Sequence, residues 1–330
     1  MRAVVADAHK WLDVLPARSA ATALAQHVAR THSSSSSSSS DSDGENDDPV
    51  RRCLERDAAA IAALAETVRA DLEQALAAAR GETKQTNAVR ALLGALAHGT
   101  LPARWRRYVV PDALAVSAFV RDLARRFAQL ERLVGSESTS DSGASASSAS
   151  SASSANSAGV WLGGLLSPEA FTTATRQAAA RALHCSLETL RLETVALRPD
   201  EGDGSVPAAD LRRGVFAVSG MRLENGKLRA TGVLDSAPEA AGAQHAAPVR
   251  TAVFAWRPCS SESESSESSD AAAAVDVPVF LNETRRVLLF NARVPVATED
   301  ESKESSVGED GAAAVWCRRA VAFTCWQQSF

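Results

Sequence analysis

No pair of cysteines in this 330-residue chain is spaced Cys-x-x-Cys. The five that occur, Cys53, Cys185, Cys259, Cys317 and Cys325, are odd in number. Cys317 and Cys325 stand eight apart in an apolar run, which is not zinc spacing. Reduced, partly buried thiols of a cytosolic protein are expected rather than a disulfide framework. No run of eighteen apolar residues occurs, so no membrane-spanning helix is expected. Asp7, His9 and Lys10 break up the start "MRAVVADAHKW", leaving no apolar signal core, and without a secretory route the sequon Asn282-Glu283-Thr284 has no sugar to accept.

Catalytic signatures are missing as well. There is no GxxxxGK[ST]. "GETKQT" at Gly81 lacks the glycine spacing with which backbone amides cradle phosphates. "GDGSVP" at Gly202 fails the dinucleotide pattern, and neither HExxH nor GxSxG occurs. His27 and His32 read as surface residues. His184 and Cys185 are neighbours without a third group to make a nucleophile. Glu188 and Glu193 read as a surface pair. Arginines are spread along the sequence instead of clustering with aromatics, which excludes a nucleic-acid face. The expectation is no catalytic, cofactor-binding or metal-binding residue.

What is abundant is serine. Four polar, acidic tracts stand out: 33–48, 136–158, 260–270 and 299–311. They bury too little apolar surface to offset conformational entropy and are expected to be disordered insertions. They carry −16 of a formal net −5, so the remainder is +11. About 270 residues are left, enough for a sizeable core.

The first part reads as helical. Asp48-Pro49 is a cap followed by a first-turn proline. Leu54, Ile61, Leu64, Val68, Leu72 and Leu76 then follow at helical spacing until Gly81. A second helix is expected from about Lys84 to Gly99. A third opens at Asp112 and carries Val116, Phe119, Leu123, Phe127, Leu130 and Val134 to Gly135. Next comes "WLGGLLSPEAFTTATRQAAARAL", Trp161 to Leu183. Gly163-Gly164 permit a tight turn or a close backbone approach. Ser167-Pro168-Glu169 reads as cap, proline and dipole-matched acid. Ala170, Ala174, Ala178 and Ala182 make a small-residue stripe. The segment is expected to be a packing hinge between helices and barrel, with Arg176 and Gln177 satisfying barrel carbonyls. An anion nest at Gly-Gly lacks a basic partner.

Beyond Cys185 the period shortens to that of strands. Seven runs alternate: "LRLETVAL", "GVFAVSGMRL", "KLRATGVL", "RTAVFAW", "VPVFLN", "RVLLFNARV" and "VWCRRAVAFTC". Asn225-Gly226 is the strongest hairpin signal among them. The fold class is therefore α+β. A helical part over 1–184 holds the inserts 33–48 and 136–158, and a small antiparallel β-barrel over 185–330 holds 260–270 and 299–311.

These residues resemble a known family. "WLGGLLSPEAFTTATRQ" resembles the hallmark segment of the C-terminal domain of dynein heavy chains: Trp161, Gly163, Gly164, Pro168, Thr173, Arg176 and Gln177. "KQTNAVRALLGALAHGTLPARWRRYVVP" is similar to the family's segment ending Leu-Pro-x-x-Trp. "VDVPVFLNETRRVLLF" is similar to its late strands of the cytoplasmic type, through Pro278, Asn282, Thr284 and Arg285. "WCRRAVAFTC" resembles the last strand, with Ala320 where a glycine is common. "WLDVLP" at Trp11 resembles the start of the domain.

The resemblance implies helices followed by a barrel, in a regulatory or structural domain lying across the AAA+ ring of a minus-end-directed microtubule motor, cytoplasmic and cytoskeleton-associated. Its direct partner would be that ring. Microtubules and the intermediate and light-intermediate chains would be partners only through the parent motor. ATP and Mg would belong to the ring and not to this chain. Neither nucleic acid nor membrane is implied. The alternative is a detached domain serving as a soluble protein-binding module.

Overall fold

The computed structural model describes residues 2–34, 48–108, 114–137, 159–198, 209–226, 228, 233–234, 246–259, 274–296 and 321–325. The protein divides into two compact units. The four serine- and acid-rich tracts lie outside the described residues except at their edges. Ser33–Ser34 continue one helix, Ser136–Glu137 continue another, and Asp48 caps a third.

The first unit is built of helices: α1 (Arg2–Val14), α2 (Arg18–Ser34), α3 (Pro49–Ala79) from Leu54 onward, α4 (Asn87–Ala97) and α5 (Val116–Glu137). The first residues of α3 group with the second unit. The α3 start follows the sequence signal, because Asp48 Oδ1 accepts the Val50 amide at 2.9 Å. Its end does too: Gly81 takes φ +79, which a Cβ would oppose. The α4 start differs from expectation. Thr86 is the cap, its hydroxyl accepting the Val89 amide at 3.3 Å, so the helix opens at Asn87 and not near Lys84. Asp112 lies outside the described residues, and α5 runs past Gly135 to Glu137.

Among the described residues, the second unit is a barrel with one complete helix on it. A 3₁₀ turn (Leu162–Gly164) leads into α6 (Pro168–Leu183), and six strands follow. They are β1 (Leu190–Arg198), β2 (Val215–Glu224), β3 (Ala246–Pro258), β4 (Ala274–Phe280), β5 (Leu288–Pro295) and β6 (Ala322–Thr324). They close in the order β1-β3-β2-β6-β4-β5. Four seams are antiparallel, while β4–β6 and β1–β5 are parallel, so the expected antiparallel barrel is closed by two parallel joins.

Among the described residues, the Asn225-Gly226 turn brings no return strand to pair with β2. Asn225 has φ 59 as such a turn requires, but Gly226 is not among the positive-φ glycines. One edge of β2 is filled by β3 over its whole length and the other, at Arg222–Glu224, by β6. Of the expected return strand 227–234, the described residues make an isolated Leu228–Leu234 bridge and a parallel Leu234–Val296 bridge, with the Leu234 amide donating to Pro295 O at 3.0 Å. In the last expected strand, residues 315–320 lie outside the described set.

Phe171 of α6 packs edge-on to Phe216 at 5.8 Å, and Phe216, Phe254 and Phe290 form a ring cluster with centroids 5.3–6.4 Å apart. All four rings are buried. Covering Phe171 alone contributes about 1.5–3 kcal/mol.

Candidate functional site

The signature residues of the second unit gather in three groups. In the first, Trp161 Nε1 donates to the backbone oxygen of Cys325 at 2.9 Å. Gly163 packs against that same carbonyl. A Cβ there would stand 2.7 Å from Cys325 O and 2.8 Å from Trp161 Nε1. Its φ is not positive, so glycine is required by the close approach and not by a turn. Just before it, Val160 bridges to β2, taking a 3.0 Å bond from the Ser219 amide and giving one of 2.7 Å to Ala217 O. Burial pushes the Cys325 thiol up to about 12, so it is inert near neutral pH.

The second group lies on α6. Pro168 occupies the first turn and Glu169 matches the dipole, but Ser167 makes no side-chain cap bond. The face that packs is Phe171, Thr172, Ala174, Thr175, Ala178 and Ala179. Ala182 is exposed, so the alanine stripe is only half used. Gly214 sits directly against this face; a Cβ on it would be 2.5 Å from that of Ala179. Trp256 of β3 donates its indole N–H to Thr175 Oγ1 at 3.0 Å. The Arg176 guanidinium lies over the Trp256 ring, 5.2 Å from its centroid, and donates to Leu190 O at 3.4 Å. Thr173 is exposed and its hydroxyl turns back to Glu169 O at 2.9 Å, while Gln177 is half-buried on the helix. His184 ends α6 in the left-handed region at φ 51, and the Cys185 amide bonds back to Ala180 O.

The third group is the β4–β5 turn. Asn282 Oδ1 accepts the Thr284 hydroxyl at 2.6 Å, and Asn282 O accepts the Arg285 amide at 3.1 Å. Arg285, at φ 53, reaches Glu224 Oε2 through Nε (3.2 Å) and Nη2 (2.7 Å). Thr324 of β6 donates its hydroxyl to Glu224 Oε1 at 3.1 Å. Pro278 has no N–H to give. It sits one residue before Val279, where β4 first meets β6.

The first unit has an equivalent anchor in the Leu101-Pro102-Ala103-Arg104-Trp105 segment. Trp105 is fully buried and donates to Asp71 Oδ2 at 2.8 Å, while Arg104 pairs with Asp71 Oδ1 at 2.9 Å. That satisfies the buried carboxylate of Asp71 from two sides. The ring of Phe119 stacks on both Trp105 and Tyr108. Tyr108 donates to Asp122 at 2.7 Å beneath Arg126, whose guanidinium is 4.1 Å from the Tyr108 ring centre. Burial raises the Tyr108 phenol well above its ordinary range.

The remaining residues weighed for chemistry are scattered. Glu193 pairs with Arg257 at 3.2 Å on the barrel wall, and Glu188 is exposed in a 3₁₀ turn. His27 is half-buried on α2. Among the described residues, no group of three or more His, Cys, Asp or Glu is placed to hold a metal, and no helix is long and apolar enough to cross a membrane. Sequence reading missed Asp71, Asp122, Glu224 and Trp256, each of which acts through a partner distant in the sequence.

These contacts define an α+β fold, in which most of the signature residues fasten one element to another. Residues 3–325 match the family model for the C-terminal domain of the dynein heavy chain, and the protein belongs to that family. The cytoplasmic dynein heavy chain of Dictyostelium discoideum is 30% identical over 285 residues, which are 85% of this chain and 5% of its own length. That of Drosophila melanogaster is 33% identical over 259 residues, 77% of this chain and 5% of its own. That of Caenorhabditis elegans is 36% identical over 178 residues, 54% of this chain and 4% of its own. The sequence thus spans about 5% of the length of the first two relatives.

Proposed function

We propose that this sequence is the regulatory and structural C-terminal domain of a cytoplasmic-type dynein heavy chain, working as part of a minus-end-directed microtubule motor. The observation that carries this reading is the continuous family match over residues 3–325, joined to cytoplasmic relatives at 30–36% identity. Its direct partner is the AAA+ ring, and it modulates the ring's output. Microtubules and the intermediate and light-intermediate chains are reached only through the parent motor. ATP and Mg belong to the ring; this chain has no phosphate loop and is not itself an enzyme. The setting is the cytoplasm and its cytoskeleton. The tie points at Cys325, Glu224 and Asp71 suit the role, since a domain that transmits or resists strain must hold its own elements together.

A domain swap tests the reading. The C-terminal domain of an active cytoplasmic dynein motor is replaced by this sequence, and velocity and stall force are read on single microtubules. Output matching the unswapped motor supports the reading. Output matching a motor with the domain deleted overturns it.

A further inference from the structure

Strand β6 is three residues long, yet among the described strands it is the only hydrogen-bonded link between β2 and β4 in the barrel order. It pairs antiparallel with Arg222–Glu224 and parallel with Val279–Phe280. The two flanking strands thus form a slot one strand wide. Three features of the slot belong to the rest of the barrel and not to β6. Glu224 is held from the far side by Arg285 on Oε2, which leaves Oε1 facing the slot. Phe280 O accepts the Cys325 amide at 3.0 Å. Trp161 Nε1 supplies a donor for the Cys325 carbonyl. The occupant answers each: Thr324 gives its hydroxyl to Glu224, Cys325 meets Phe280 and Trp161, and Phe323 is fully buried as an anchor.

We infer that the β2–β4 slot is a strand-acceptor site, and that its ligand is the protein's own segment around Val321–Cys325, bound as a separable strand. The recognition is β-augmentation. Backbone bonds to two edges give affinity, and an aromatic followed by a hydroxyl residue gives specificity. Only an extended segment fits, because both edges require backbone amides and carbonyls at strand spacing.

The test uses the full-length protein with a specific protease site placed among residues 299–311. After cleavage, the part carrying β6 stays with the body on gel filtration and the melting temperature is retained. A labelled synthetic peptide of residues 313–330 then exchanges into the cleaved protein. A Phe323→Ala peptide competes more than about a hundredfold less well, and a Thr324→Val peptide about tenfold less well. Glu224→Gln in the body removes most of the Thr324 discrimination. The inference fails if the cleaved part leaves while the body keeps its melting temperature. It fails equally if cleavage unfolds the protein and excess peptide does not restore it, or if both variant peptides compete like the original.

Discussion

Arg285 grips Glu224 across 61 residues of sequence, with Nη2 2.7 Å from Oε2, while its own backbone sits in the left-handed region at φ 53. Both side chains are mostly buried, at 27% and 19% exposure. A strained, non-glycine position kept for its guanidinium implies that the grip outweighs the strain.

Arg285→Ala therefore leaves Glu224 without its cation and lowers stability by about 1–3 kcal/mol. Arg285→Gly relieves the backbone yet still destabilises, because the clamp is lost. Urea unfolding of the three proteins checks this. Arg285→Gly more stable than the original, with Arg285→Ala equal to it, would mean the ion pair is idle.

Gly163→Ala places a methyl within 2.7 Å of Cys325 O, and the backbone must shift. The expected loss is about 1–3 kcal/mol. Gly94→Ala is the counter-case. It lies inside α4 with nothing within 4 Å of the added carbon, so it gains about 0.5–1 kcal/mol. Denaturant midpoints moving in opposite directions are the expected result.

His184→Gly removes the left-handed penalty at the end of α6 and stabilises by about 0.5–1 kcal/mol. Thermal melting at fixed pH measures it. A lower melting temperature would show that the imidazole makes a contact worth more than the strain.

Alkaline pH should loosen the barrel through Cys325. Burial raises its folded value to about 12 from 9.0, so the unfolded protein ionises first. Its contribution is whole below pH 9 and is lost as pH climbs toward 12, with a slope approaching 1.4 kcal/mol per unit, on the order of one proton. Cys325→Ala flattens the stability curve in that window. An unchanged slope in urea titrations would refute the assignment.

Local chemistry was readable from the sequence where it acts locally. Asp48, Pro49 and Gly81 bound α3 because caps and positive φ need no distant partner. Alternation marked the strands because one face of each meets the barrel interior. The misses have a shared cause. The α4 start moved from Lys84 to Asn87 because the Thr86 hydroxyl caps it, a choice between near-equal local options. α1 and α2, rich in small residues, gave little periodic signal. The Asn225-Gly226 turn lost its hairpin because β3 and β6 took both edges of β2. Glu224 and Asp71 are ordinary surface letters, and Trp256 an ordinary strand aromatic, until residues 61, 34 and 81 positions away meet them.

The placement of β6 has a consequence in time. Synthesis runs from the amino end, so β2 emerges 98 residues before β6 begins. At about 5–20 residues per second, the ribosome spends roughly 5–20 s with the β2 edge waiting for β6, and for roughly the last 2–8 s of that the β4 edge is made and waiting too. During that interval another nascent polypeptide can insert where Phe323 belongs. Crowded polysomes are therefore where this domain is most prone to exchange strands with its neighbours, and slowing translation after β5 lengthens the risk.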